Sequence, residues 1–445
     1  MRKSVLVLAL CLMMATQGTG FAASTVDSLV QKLVEKGILS DKEATQLKGE
    51  IAYQEKETIE VGAKKQVPEW AQNMKVSGDF RARLQTERSE SAGAAATAQG
   101  ERVRARYRAR LNFETKVNDQ AKMVIGIATD GGSGVNSGSS NARSNNYTNS
   151  TYVTGSTVSN AFSKPYVVLN KAYGQYMVND RLTLTAGKME NSVFYEPMEF
   201  LFDNDITPEG ASVEYNYKVN SILSLKAVGN FFTLGEFNPS TSDPFMFAPQ
   251  LIATIKPCDK FDAKAAFTYV GYGNIKSGFN GGLANNTANS ANGSNGLKYD
   301  YSAPMGALDI GINDPFGESL PDFMYIPRVG VFGEYTVNPG APNKNVAWMA
   351  GTYIGNAKVN GFKTWRAYGA YKLLQKDSWL DIFPDSDFQG GATGVRGIET
   401  GLEFGLAKNV SMKIEYDQTR RMDIGATAAT KTPTHLVQYD LNWKF

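Results

Sequence analysis

Glu101-Arg102-Val103-Arg104-Ala105-Arg106-Tyr107-Arg108-Ala109-Arg110-Leu111 is the stretch that decides the fold. Arginine fills the even positions from 102 to 110, and Val103, Ala105, Tyr107, Ala109 and Leu111 fill the odd ones. Successive side chains of a strand point to opposite faces, so this spacing puts all the guanidiniums on one face and all the apolar groups on the other. The same alternation runs upstream, where Arg81 and Arg83 interleave with Phe80, Ala82 and Leu84. It returns in Ala211-Val213-Tyr215-Tyr217-Val219, in Met412-Ile414-Tyr416, and in the closing Val437-Tyr439-Leu441-Trp443-Phe445.

A soluble sandwich also alternates. Three features point instead to an all-β transmembrane barrel. The polar face carries full charges in unbroken rows, while the apolar face carries aromatics toward its ends, the pattern of a wet interior and a lipid-facing exterior. Short turns built on Asn and Asp, such as 117–120, 178–181, 218–221, 257–260, 358–361 and 407–410, alternate with long loops rich in Gly, Ser and Asn, such as 131–164 and 277–300. Asn and Asp suit tight turns because their side chains bond to nearby backbone. Finally, the last residue is an aromatic on the apolar face. It resembles the C-terminal signature recognised by the outer-membrane assembly machinery.

Composition agrees. The chain has 445 residues, with 43 Gly, 21 Tyr, 23 Phe and a single His. Beyond its start it has no apolar run near the ~20 residues that a spanning helix needs. There are 46 basic and 44 acidic residues, a balance that gives no argument for nucleic acid. No metal-ligating cluster or haem motif occurs, so no cofactor is expected. His435 is the only histidine and no nucleophile is paired with a base, so an enzyme is not expected.

Residues 1–22 read as a signal peptide: Arg2 and Lys3, an apolar stretch from Val5 to Ala15, then small residues before a cleavage site after Ala22. Residues 23–66 read as a periplasmic helical segment with narrow apolar stripes. In it, Ser40-Asp41-Lys42-Glu43 has the form of a capping box. Such helices bury too little alone and should associate or dock, with cell-wall contact through 24–60 as one outlet. A structural or tethering protein built on those helices is the alternative function. Residues 67–445 read as the barrel.

Fifteen strands are legible by alternation, from 74–86 to 434–445. Both barrel ends on one side of the membrane require an even number. The missing inward strand is placed at Tyr301 to Ile312, giving about sixteen.

Three stretches carry a family likeness: Leu33-Val34-Glu35-Lys36-Gly37-Ile38-Leu39, the run from Gly187 to Asn191 leading into Phe202-Asp203-Asn204-Asp205-Ile206-Thr207-Pro208-Glu209-Gly210, and Phe383-Pro384-Asp385-Ser386-Asp387-Phe388. They are similar to the bacterial putative porin family, outer-membrane barrels with a short helical N-terminal segment. The resemblance implies passive diffusion of small hydrophilic solutes and ions, an outer-membrane lipid setting and a homotrimer. In sixteen-stranded trimeric porins the loop between the fifth and sixth strands folds into the lumen. Here that loop is 192–208.

The candidate site follows. Arg81, Arg83, Arg102, Arg104, Arg106, Arg108 and Arg110 form a pore-lining basic wall, and arginine stays charged at any relevant pH. Glu196, Glu199, Asp203 and Asp205 form an acidic constriction loop facing that wall. Opposed charges across a narrow passage give a transverse field. Lys372, Glu399, Glu403, Lys413 and Glu415 also sit on polar faces and read as solvated wall.

Overall fold

The computed structural model describes residues 40, 42–46, 69–89, 101–129, 147–148, 167–190, 195–235, 243–276, 289–292, 296–319, 325–422 and 433–445. The expected signal peptide and most of the expected helical segment lie outside these residues. The chain divides into two units, Met1–Asn73 and Met74–Phe445.

In the first unit, residues 42–46 are helical. The capping box forms there. Ser40 N and Oγ donate to Glu43 Oε2 at 2.9 and 2.7 Å, and Glu43 N donates back to Ser40 Oγ at 3.4 Å. A second short helix covers Glu69–Gln72.

The second unit is a closed antiparallel barrel of sixteen strands. They are β1 Lys75–Ser89, β2 Glu101–Lys116, β3 Ala121–Thr129, β4 Val167–Met177, β5 Leu182–Lys188, β6 Glu209–Lys218, β7 Leu223–Thr233 and β8, whose parts Phe245–Phe247 and Gln250–Cys258 flank Pro249. Then follow β9 Phe261–Gly273, β10 Ala303–Asn313, β11 Arg328–Val337, β12 Val346–Gly355, β13 Trp365–Leu374, β14 Val395–Ala407, β15 Val410–Arg421 and β16 Thr434–Lys444. A two-residue piece, Tyr147–Thr148, also pairs with β2 beside Arg106 and Tyr107. Each strand pairs with the next, and β1 pairs with both β2 and β16, so no edge is left open. The strand placed at Tyr301 to Ile312 is β10. The strand expected from 323 starts later, at Arg328. Pro327 has no N–H to give a ladder, and its carbonyl instead accepts from Asp314 N at 2.8 Å.

The short turns explain the recurring Val-Asn pair. Asn118, Asn179 and Asn220 each accept two backbone N–H bonds from the following residues, at 2.7–3.0 Å. Val117, Val178 and Val219 close the same turns through their own N–H groups. The outward faces are apolar and exposed, with Phe267 60%, Val331 54% and Leu251 52% accessible. On a barrel these side chains meet lipid.

Closure depends on Gly78. Its N and O pair with the O and N of the terminal Phe445, both at 3.0 Å. A Cβ on Gly78 would sit 2.3 Å from the Arg110 carbonyl oxygen and 2.7 Å from the Phe445 ring. Gly78→Val is therefore expected to abolish the heat-modifiable, folded band in gel electrophoresis. A full yield of folded barrel would contradict this closure.

Candidate functional site

The arginine rows of β1 and β2 fall on one face in register. Arg81 lies opposite Arg108, Arg83 opposite Arg106, Asp79 opposite Arg110 and Gln85 opposite Arg104. Like charges placed directly across a ladder repel, so this arrangement needs counter-charges. Two come from the wall. Asp440 on β16 takes the Nε and Nη2 of Arg83 at 2.7 and 2.8 Å, a bidentate pair, and lies 3.7 Å from Arg81. Asp79 takes Arg110 Nε at 2.7 Å and Arg108 Nη2 at 3.3 Å.

The other two come from inward-folded loops. Asp205, between β5 and β6, accepts from Arg108 at 2.9 Å and Arg110 at 3.0 Å. Asp387, between β13 and β14, accepts from Arg83 at 2.7 Å. Toward the start of β2 the partners are weaker. Arg104 donates to Glu87 at 3.2 Å and Arg106 to the amide oxygen of Gln85 at 3.0 Å, while Arg102 is exposed.

The sequence expectation for the acidic loop needs correction. Asp205 meets the arginines, but Glu196, Glu199 and Asp203 brace the loops themselves. Glu196 accepts from Phe202 N at 3.0 Å, and Glu199 from Asn204 N at 2.8 Å. Asp203 accepts from Asp205 N at 2.7 Å and from Ser386 N at 3.0 Å. A carboxylate buried against backbone N–H groups stabilises a turn more than it presents charge. Burial pushes the Glu196 carboxyl up to about 8 and Asp203 up to about 7. Burial would raise Asp387 too, but Arg83 and Arg81 hold it well below the usual carboxylate range.

The two loops bond to each other. Asp203 N donates to Phe383 O at 2.7 Å, Asp385 N to Phe200 O at 3.2 Å, and the Trp379 indole to Leu201 O at 3.0 Å. Phe202 packs edge-on against Trp379 with ring centres 5.5 Å apart. Phe200, Leu201, Phe202, Trp379 and Leu380 are all buried and share one core with Phe232, Met246, Val270, Met305 and Met349 of the strands. A third loop joins through Asn289, whose amide spans Lys376 O, Trp379 O and Asp381 N at 2.7–3.0 Å.

Lys372 is the second correction. It is not solvated wall but fully buried, and its amine donates to Glu199 O at 2.7 Å and pairs with Asp385 at 2.9 Å and Glu399 at 2.5 Å. One ammonium thus ties both loops to β13 and β14. Glu415 is also buried, bonded to Lys413 and to the Tyr368 hydroxyl.

Open space remains on two sides of the first loop. A cavity of about 360 Å³ is lined by Arg110, Asn170, Lys171, Glu190 and Asp205 with the loop. Another of about 340 Å³ is lined by Arg81, Arg83, Arg366, Tyr368, Asp387, Glu399, Glu403, Lys413 and Glu415. Pro197, Met198, Glu199 and Asn204 line both. Asp387 and Lys372 escaped the sequence reading as site residues. The signal for the first was the Asp385-Ser386-Asp387 run already singled out for resemblance.

Lys372→Met leaves Asp385 and Glu399 buried without their cation, a loss of about 3–5 kcal/mol for a buried pair broken from one side. Lower thermal stability and faster cleavage within 375–394 are expected; unchanged melting would contradict the role. The raised carboxyls of Glu196 and Asp203 bind protons more tightly folded than unfolded. Their contribution is full at acid pH and fades as pH rises through about 7–8. Amide protection factors in 196–205, taken relative to the base-catalysed rise of unprotected amides, are accordingly expected to fall between pH about 6 and about 9, and constant protection factors would contradict it.

Comparison with known proteins agrees with the fold. OprB of Pseudomonas putida, in a high-pH structure, is 10% identical, with a TM-score of 0.50, covering 84% of this chain and 95% of that one. OmpT of Vibrio cholerae, an outer-membrane protein in trimer form, is 11% identical with a TM-score of 0.43, covering 84% and 99%. No characterised protein matches by sequence. The family model described as "Putative porin" matches residues 87–307 and 332–445. This family match puts the barrel in the outer membrane as a porin-type channel. With the match spanning most of its length, the chain belongs to the putative porin family.

Proposed function

We propose that this barrel passes small hydrophilic solutes and ions by passive diffusion, without catalysis, through a lumen narrowed by its two inward loops. The observation that carries the reading is the 340 Å³ cavity. Arg81 and Arg83 stand on its β1 side, and Glu415, Glu399 and Glu403 stand two and three strands further round. Charges of both signs around a narrow wet passage orient polar solutes and disfavour bulky apolar ones, whose hydration they do not replace. The remaining members of the row, Arg102, Arg104, Arg106, Arg108 and Arg110, extend the basic wall along β2. Asp205 and Asp387 set how far each loop reaches toward it.

In this reading the transverse field arises from the strand walls more than from the loop carboxylates. A homotrimer is the assembly expected for this class, tested by the mass of the protein in detergent. The cell-wall contact proposed for 24–60 falls almost wholly outside the described residues.

The test is the reversal potential and single-channel current of the purified protein in a planar bilayer under a salt gradient. Wild type is run beside Arg104→Ala/Arg106→Ala. A steady ohmic current, shifted toward cations in the double variant, supports the reading. No wild-type current would mean that the loops close the barrel and that its role is structural.

A further inference from the structure

The counter-charges along the arginine rows are unevenly spread. Asp79, Asp205, Asp387 and Asp440 make their direct ion pairs with Arg81, Arg83, Arg108 and Arg110. Asp387 also acts on Arg104 and Arg106, but from beyond ion-pair distance. The one direct ion pair of Arg104 is with Glu87, a carboxylate that is 37% exposed. Arg106 has no carboxylate within ion-pair distance among the described residues; its bond is to the neutral Gln85. The Nε atoms of Arg104 and Arg106 are buried and lack hydrogen-bond partners among those residues, as do those of Arg81 and Arg108, whose other nitrogens lie beside carboxylates. The two arginines share a face two residues apart, hence about 7 Å along the strand. Arg83 lies opposite Arg106. Arg83, Arg104 and Arg106 thus stand close enough to repel one another, and of the three only Arg106 makes no direct ion pair among the described residues.

The chain on either side does not supply the missing anion in quantity. Segment 90–100 has Glu90 as its only acid, and 130–166 has Asp130, offset by Arg143 and Lys164. Segment 90–100 is otherwise built from small and neutral polar residues, and 130–166 from Gly, Ser, Asn and Thr with scattered aromatic and aliphatic residues. A guanidinium held near others in a partly buried place is stabilised by an oxyanion, which accepts two parallel N–H bonds from its fork.

Resting on the channel reading above, we infer that Arg104 and Arg106 form a binding site for a small oxyanion, a phosphate, sulfate or carboxylate group, on the outer part of the arginine row. β2 begins at the loop end of the barrel, so this site precedes the Arg108–Asp205 contact on the way in. Anions entering the barrel dwell at Arg106 and then meet a stretch whose charges are already matched. Because the row is on the inner face, a solute reaches it through the lumen.

The experiment adds inorganic phosphate, sulfate or acetate to a chloride bath while single-channel current is recorded. Phosphate is expected to reduce the chloride current in wild type. Arg106→Gln is expected to raise the half-blocking concentration roughly tenfold, the loss of one charge-assisted bond. Lys260→Gln, in an exposed turn, is expected to leave the block unchanged. Block by phosphate and sulfate but not acetate assigns the site to tetrahedral oxyanions; block by all three assigns it to oxyanions generally. Chloride current with no block overturns the site and leaves the channel reading intact. Absence of any current overturns the channel reading. In that case phosphate titrated into the detergent-solubilised protein by calorimetry decides the site, with heat lost in Arg106→Gln supporting it and no heat in wild type overturning it. Heat-modifiable mobility verifies that each variant is folded.

Discussion

The structure depends on two loop carboxylates that reach across the lumen: Asp205 onto Arg108 and Arg110, and Asp387 onto Arg83. The strands bring arginines of β1 and β2 face to face, an arrangement that is unfavourable until matched. The wall supplies part of the match through Asp79 and Asp440. The remainder must come from chain that leaves the sheet, turns inward and returns. Two loops do so, and once there they must satisfy their own backbone and bury their own apolar groups. The Phe202–Trp379 contact, the Asp203–Phe383 bond and the Lys372 clamp are all consequences of that requirement.

This is why the barrel has a hydrophobic core inside it. An open porin needs only a polar inner face, but a loop with Phe200, Leu201 and Phe202 needs apolar wall to lie against. Met246, Val270, Met305 and Met349 provide it. The interior is thereby divided by position. On one arc, β8 to β12 carry apolar inner side chains beneath the loops. On the other, β13 to β16 with β1 and β2 supply most of the charged lining of the second cavity, while Arg328, Asp309 and Glu334 are charged groups within the first arc. The second cavity lies along the charged arc, and the apolar arc is packed against the loops.

That division also explains what the sequence revealed. Where the inner face is charged, alternation is plain, and β1, β2, β6, β15 and β16 can be read residue by residue. Strand β10 is the counterexample. Ala303, Met305 and Ala307 face the loop core and are buried, so both faces of Ala303–Asn313 look apolar and only the parity of the barrel located it. The short turns were legible because Asn makes its bonds locally. The contacts that tie the loop acids' segment to the rest of the barrel were not, because they lie far along the chain: Ser386 N on the Asp203 carboxylate, and the Lys372 amine on the Glu199 carbonyl. Composition shows that carboxylates are present in the loop but not whether they face water or backbone. Arg83 and Asp440, 357 residues apart, meet only because the ends of the barrel join.

In the channel proposed above, the first loop borders the water-filled passage while its base is fixed to the wall. Met198 is the residue to probe, since it lines both cavities. With the exposed Cys258 replaced by serine, Met198→Cys would be treated with a membrane-impermeant charged thiol reagent during single-channel recording. An abrupt, lasting drop in current is expected as the reagent attaches. Current that flows unchanged while mass spectrometry shows the introduced thiol modified would contradict the claim, and would place the passage elsewhere in the barrel.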